Sequence, residues 1–233
     1  MRNKDKKDIF FDLDHTLWDF DRNAAETLAE LFDHYRFHAL GIESAGRFIE
    51  VYNRNNHRLW SLYHHGKITK AQLRAARFAD TFTELGIDPA RFPETFETDY
   101  LRLCPQKTHL FPETHETLGH LREKYTLHLI SNGFRDAAEV KISTCKLKNY
   151  FSTIVISEVV GVHKPHPEIF HYAVSNAKTS IDCSVMVGDN LDADIRGAQQ
   201  VGMDAVFFNP RQTSVPADVP YAVASLAELR DLL

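Results

Sequence analysis

The stretch Asp8-Ile9-Phe10-Phe11-Asp12-Leu13-Asp14-His15-Thr16 decides how this 233-residue chain is read. Ile9, Phe10 and Phe11 form a short apolar run of the kind a buried strand needs. The run passes straight into two carboxylates separated by one residue. Carboxylates at the carboxyl end of a buried strand are costly to desolvate and call for a cation or hydrogen-bond donors. Taken alone, the pair has a second reading, an acidic loop capping the helix that follows.

Four more runs of this kind lie downstream, at 126–132, 152–158, 184–189 and 204–209, and each reads as a buried strand. Helical patterns separate the later ones, from Pro167 to Val174 and from Ala193 to Ala198. Strands alternating with helices predict an α/β fold, a Rossmann-like three-layer arrangement with a parallel sheet covered on both faces. The alternation is broken once, by a long helical insert. Asn23 to Phe32 has apolar residues at i, i+3 and i+4, Thr69 is placed to cap a helix through Leu73, and breaks fall near Gly41, Gly66 and Gly86-Ile87-Asp88-Pro89. The expected organisation is therefore a core from 1–17 and 107–233 and a helical domain at 18–106. In open α/β sheets ligands bind beyond the carboxyl ends of the strands, so an insert at that edge can cover a site there.

Composition narrows the function. With 43% hydrophobic and 25% charged residues the chain is a folding, globular one. A net charge of -5 with both signs spread along the sequence argues against a nucleic-acid polymer or an anionic membrane as partner. The first residues, MRNKDKKD, are charged, and no apolar run of spanning or signal-peptide length follows, so a cytoplasmic protein is expected. Cys104, Cys145 and Cys183 are widely spaced and odd in number, which reads as ordinary thiols, not a disulfide framework or zinc site. His64 and His65 adjoin, but neighbouring helical side chains diverge, so they read as surface residues.

Three further strand ends carry polar groups. Ser131-Asn132-Gly133 offers a hydroxyl and backbone N–H donors to an anion, or alternatively a common turn pair. Lys164-Pro165 supplies an ammonium next to a residue that holds the backbone extended. Gly188-Asp189-Asn190-Leu191-Asp192-Ala193-Asp194 is a second acidic cluster, in which Gly188 is expected to permit a tight turn. If its strand neighbours that of Asp12, carboxylates from two loops can share a hard cation. Mg²⁺, which takes few protein oxygens and keeps several waters, suits such a site. Asp192 reads as a charge in a helix's first turn.

Taken together, Asp12-x-Asp14-x-Thr16, Ser131-Asn132-Gly133, Lys164-Pro165 and Gly188-Asp189-x-x-x-x-Asp194 resemble the four motifs of the haloacid dehalogenase-like hydrolase superfamily, across nearly the whole core. The resemblance implies a Mg²⁺-dependent phosphatase. Asp12 would be the nucleophile and Asp14 the acid and base. Ser131, Asn132 and Lys164 would bind phosphate. Asp12, the Asp14 carbonyl and Asp189 would hold the metal, supported by Thr16, Gly133 and Asp194. Members that cleave carbon–halogen bonds lack the acid at the Asp14 position, because a halide leaves without a proton. The insert resembles the C1-type helical cap. Members forming a Schiff base use a cap lysine, for which Lys67 and Lys70 are available but unmarked. Trp18-Asp19-Phe20, Leu59-Trp60-Ser61-Leu62-Tyr63, Ser131-Asn132-Gly133-Phe134 and the run from Ile156 to Pro165 are similar to the pyrimidine 5'-nucleotidase subgroup. That similarity implies a nucleoside 5'-monophosphate as substrate and a monomer or homodimer; the alternatives are a sugar-phosphate or phosphoglycolate phosphatase or phosphomutase of the same superfamily, and a non-catalytic binding protein that keeps the fold. Trp60 and Tyr63 read either as core of the cap or as a surface on which a base stacks.

Overall fold

The structure is a computed structural model and describes residues 6–233. It contains two compact units, one made of the chain up to Phe20 and from Thr108 to Leu233, the other of Asp21–Lys107.

The first unit is built on six parallel strands: β1 (Asp8–Phe11), β2 (Thr126–Ser131), β3 (Phe151–Ile156), β4 (Ser184–Gly188), β5 (Asp204–Phe208) and β6 (Ala222–Val223). Their order in the sheet is β3-β2-β1-β4-β5-β6. Helices cover the sheet, which is why β1, β4 and β5 are buried along their whole length and why, after their first residues Asp8, Ser184 and Asp204, their sequences run apolar and do not alternate. Phe11, the last residue of β1, stands opposite Leu129 of β2 and Val187 of β4. The chain runs outward from β1 to β3 and then crosses back to the other side of β1 for β4. The order thus reverses at β1, and ligands of open α/β sheets bind beyond the strand ends at such a point.

One layer of the core joins Phe10, Ile130, Val155 and Met186 from four strands to Ile169, Phe170 and Ala173 of the helix Pro167–Asn176 and to Ile195 and Ala198. Burying each of the larger side chains contributes about 1.5–3 kcal/mol. The passage that leaves the unit and the passage that re-enters it lie side by side. Trp18 forms an antiparallel bridge with Leu110, Asp19 N–H donates to the His109 carbonyl at 3.0 Å, and Phe111 N–H donates to that of Leu17 at 2.9 Å.

The second unit carries α1 (Phe20–His34), α2 (Ala45–His64), α3 (Lys70–Glu84) and α4 (Phe96–Leu103). The three expected breaks follow from backbone geometry, since Gly41 (φ 93°), Gly66 (φ 67°) and Gly86 (φ 74°) sit where side-chain-bearing residues are strained. Thr69 caps α3 reciprocally: its hydroxyl accepts from Gln72 N–H at 3.2 Å, and its own N–H donates to the Gln72 side chain at 2.8 Å. The unit's interior is aromatic. Phe37 meets Phe82 edge to face at 5.0 Å and Phe32 at 5.7 Å, and Phe48, Phe78 and Phe96 complete the cluster. The buried Tyr52 and Tyr100 share a hydrogen bond between their hydroxyls at 2.6 Å. Tyr63 is buried and Trp60 half-buried, and their rings meet edge to face at 5.6 Å.

Two elements depart from expectation. β6 is a two-residue edge strand, too short for a periodic signal. Residues 191–196, read as regular helix from Ala193, form a π-helix followed by a short α-helix, Gly197–Gln200. Among the described residues no helix is long and apolar enough to cross a membrane. Cys104, Cys145 and Cys183 form no disulfide among the described residues.

Candidate active site

Parallel pairing of β1 with both β2 and β4 brings the three motif-bearing strand ends into one row. Asp12 follows β1 directly, and its N–H donates to the Val187 carbonyl of β4 at 2.9 Å, which extends the ladder one residue past the strand. The side chain therefore projects from the carboxyl edge while remaining buried. Lys164 arrives from the loop after β3, its peptide bond to Pro165 being cis. Its ammonium lies 2.5 Å from Asp12 Oδ1 and 2.6 Å from Asp194 Oδ1, and it donates to the Ile130 carbonyl at 2.8 Å.

A lysine 1% exposed needs all of these partners. Burial works against its charge, but Asp12 and Asp194 outweigh burial and hold the ammonium well above its ordinary pKa. Two devices position it. Asn132 brackets the Lys164 main chain, its side-chain N–H donating to the Lys164 carbonyl and its side-chain oxygen accepting from Lys164 N–H, both at 2.9 Å. Gly197 leaves room for the adjoining proline, since a Cβ there would stand 2.9 Å from Pro165 Cα. Asn132 thus positions the Lys164 main chain through its side-chain amide.

The π-helix explains how Asp194 reaches the site. The Asn190 carbonyl accepts from both Asp194 N–H (2.9 Å) and Ile195 N–H (3.2 Å), while the Asn190 side chain caps the turn by accepting from Asp192 and Ala193. The widened turn buries Asp194 and sends Asp192 outward, where it pairs with Arg196 at 2.6 Å. Asp194 Oδ2 accepts from Asn190 N–H at 3.0 Å. Gly188 was expected to permit a tight turn. Its role is to make space, because a Cβ on it would lie 2.3 Å from Asp194 Oδ2. Asp189 is tied to Thr16 of the β1 motif, as Asp189 N–H donates to Thr16 Oγ at 3.1 Å and the Thr16 hydroxyl donates to Asp189 Oδ1 at 3.2 Å.

Among the described residues, Asp12, Asp189 and Asp194 are the group suited to hold a metal ion, with one carboxylate oxygen from each lying within 4.8 Å of the others. Against these three carboxylates stands one buried ammonium, so with all three ionised the cluster would carry two uncompensated negative charges. The imbalance is visible in the acidities. Burial pushes Asp12 up to about 7 despite Lys164, with Asp194 and Asp14 raising it further. Asp189 is driven well above the carboxylate range by burial and by Asp12 and Asp194. The Lys164 ammonium alone does not outweigh burial at Asp12. A divalent cation with a preference for oxygen would balance the cluster, which fits Mg²⁺.

Asp14 lies on the other side of the row, half-buried, near the end of β2. Gly133 is small because a Cβ on it would stand 3.1 Å from Ser131 Oγ and 3.3 Å from Asp14 Oδ2. Ser131 Oγ accepts from Gly133 N–H at 3.0 Å and keeps its own O–H to donate. One residue in this neighbourhood carries no motif signal. Lys141, from the helix Arg135–Thr144, places its ammonium 2.6 Å from Asp14 Oδ1. The sequence does hold a trace of it, since Ala138, Ile142 and Cys145 form a buried stripe at helical spacing and Lys141 falls within that stripe.

A buried aspartate paired with a loop lysine, a second aspartate two residues on, and a glycine–aspartate turn after β4 together match a known family. The model for haloacid dehalogenase-like hydrolases matches residues 7–202. The chain belongs to the haloacid dehalogenase-like hydrolases. This hydrolase is 32% identical over 228 residues to pyrimidine 5'-nucleotidase YjjG of Escherichia coli, covering 97% of this chain and 96% of that one. It is 28% identical over 232 residues to pyrimidine 5'-nucleotidase PynA of Streptococcus pneumoniae, covering 97% and 94%. Among solved structures it is similar to the HAD-hydrolase YfnB from Bacillus subtilis bound to magnesium, with a TM-score of 0.86 and 26% identity over 98% of this chain and 99% of that one.

Proposed function

We propose that the chain is a Mg²⁺-dependent phosphomonoesterase that works through an aspartyl-phosphate on Asp12 and acts on nucleoside 5'-monophosphates, pyrimidine ones first. The observation that carries the chemistry is the row of side chains along the carboxyl edge of β2, β1 and β4. Asp12 lies against Lys164, while Asp14 stands apart from it beside Ser131 and Gly133. A nucleophile and a proton carrier in different surroundings are what ester cleavage in two steps requires.

In the first step an Asp12 carboxylate oxygen attacks phosphorus. The bond from phosphorus to the ester oxygen breaks, and Asp14 gives a proton to the departing alkoxide. In the second, water attacks the same phosphorus and Asp14 takes the proton back. The bond to Asp12 then breaks, releasing phosphate. Ser131 and Lys164 orient the phosphoryl oxygens throughout. A Mg²⁺ ion held by Asp12, Asp189 and the Asp14 carbonyl, with Asp194 in support, supplies charge neutralisation for the transferring group.

The nucleotide preference rests on the identity to YjjG, which runs through the helical unit as well as the core. In this reading that unit acts as the cap that selects the leaving group. Asp14 favours phosphate esters over haloacids, because an alkoxide needs a proton on departure and a halide does not. A panel of phosphorylated metabolites, assayed with and without Mg²⁺, tests the whole reading. UMP, dUMP and dTMP are expected at the top of the ranking, and EDTA is expected to abolish turnover. A sugar phosphate or phosphoglycolate turned over far better would refute the nucleotide assignment. Asp12→Asn is expected to lower the rate on every ester by at least about a thousandfold with the fold intact. Persistent turnover in that variant would remove Asp12 from the nucleophile's role.

A further inference from the structure

We infer that Lys141 is a positioning residue for the reaction, fixing the Asp14 carboxylate so that one of its oxygens is presented to the transferring group. The inference rests on the role proposed above for Asp14. Lys141 takes Asp14 Oδ1 at 2.6 Å. The other oxygen, Oδ2, is turned toward the end of β2, where it and Ser131 Oγ both border the space kept open by Gly133. The carboxylate is thereby divided, with Oδ1 anchored and Oδ2 facing the residue expected to bind phosphate.

The anchor is itself immobilised. The Lys141 side chain is 6% exposed, and its ammonium sits 4.1 Å from the centre of the Trp18 ring and 5.5 Å from that of Phe20. Trp18 in turn belongs to the turn that carries Asp14. Its N–H donates to the Leu13 carbonyl at 2.8 Å, and its main chain forms a bridge with Asp14. Lysine, indole and carboxylate therefore close a ring of contacts around one rotamer of Asp14.

Stability gives this lysine little reason to be there. Asp14 is 23% exposed and could be served by water, whereas an ammonium on a buried helix face is desolvated and loses rotamer entropy. An apolar residue would fill the stripe between Ala138 and Cys145. What the ammonium supplies is direction, and proton transfer in both steps depends on it: outward to the ester oxygen, then inward from water.

The test compares esters that differ in their need for a proton. For Lys141→Met, kcat/KM is measured across a series running from 2,4-dinitrophenyl phosphate through phenyl phosphate to UMP. The expected loss is about 10- to 100-fold on UMP with its KM nearly unchanged, and under about threefold on the dinitrophenyl ester, whose kcat and KM fall together. The dependence on leaving-group pKa thus steepens. With the dinitrophenyl ester a burst of phenolate is also expected, because the second step still needs Asp14. Lys141→Arg keeps the charge and the ring contact and is expected to retain the wild-type dependence. Lys141→Gln, which keeps a polar group near Asp14, serves as the second variant should the methionine one fold poorly. An even loss across the series, or no loss at all, overturns the inference. Turnover of the series by Asp12→Asn instead sinks the reading beneath it, so the two failures are distinguishable.

Discussion

Thr16 and Asp189 hold one another by two hydrogen bonds that run in opposite directions, the Asp189 N–H into the Thr16 hydroxyl and that hydroxyl into the Asp189 carboxylate. One comes from the motif after β1 and the other from the turn after β4, so the pair fixes the separation of two strand ends that must share a cation. Thr16→Val keeps the shape and removes both bonds. The Mg²⁺ concentration for half-maximal activity is expected to rise about 10- to 100-fold, as for other residues that orient a metal-binding carboxylate. Thr16→Ser should stay close to wild type. A magnesium titration of the three proteins decides it, and an unchanged midpoint for the valine variant would contradict the role.

Charge imbalance in the acidic cluster makes stability depend on both pH and metal. Asp12 is raised from its unfolded value of 3.8 to about 7 by burial. Between those values the folded state binds more protons than the unfolded one, so in metal-free protein this group's contribution is lost as pH rises through about 7. Asp189 is shifted in the same direction. A cation that neutralises the cluster removes the penalty. Thermal melts of EDTA-treated protein at pH 5.5 and pH 8, with and without Mg²⁺, should therefore show a larger metal-induced rise in Tm at pH 8. An equal rise at both values would mean that the cluster is not where the ion acts.

Gly188 lies against the Asp194 side chain. Gly188→Ala is expected to push Asp194 away from Lys164, destabilising the fold by about 1–3 kcal/mol, as overpacking of a buried site does. Because Lys164 loses one of its two carboxylate partners, activity should fall as well. Urea unfolding and steady-state kinetics on the same preparation test both, and a fully active variant would show that Asp194 can move without consequence.

Asp192 and Asp194 stand two residues apart and are predicted to behave oppositely. Asp192→Asn removes an exposed pair with Arg196 and should leave activity unchanged. Asp194→Asn weakens the buried contact to Lys164 and should lower both activity and Tm. Similar behaviour of the two variants would rule out the inward and outward assignment made from the π-helix.

Much of this was readable before any coordinates. Five of the six strands announce themselves as short apolar runs because the sheet is largely buried, and Asp12 and Asp189 follow because they sit just past strand ends, while Lys164 lies farther on, in the segment that follows β3. The row they form could be anticipated once β1 and β4 were taken as neighbours. What stayed hidden depends on local geometry that composition does not encode. The π-helix arises from one carbonyl, that of Asn190, accepting from two successive N–H groups. Asn132 offers a polar amide in the sequence, and only the approach of the β3 loop shows that the amide is spent on the Lys164 backbone. Lys141 sits four residues beyond Ala137 in an unremarkable helix, and its meaning depends on which way Asp14 points.

The pairing of Trp18 with Leu110, flanked by the bonds from Asp19 to His109 and from Phe111 to Leu17, makes the two ends of the insertion partners in a hairpin. A turn of a few residues joining Asp19 to His109 would leave β1 and β2 adjacent and in register. The sheet is thus a host whose row of strand-end side chains does not depend on the length of the guest.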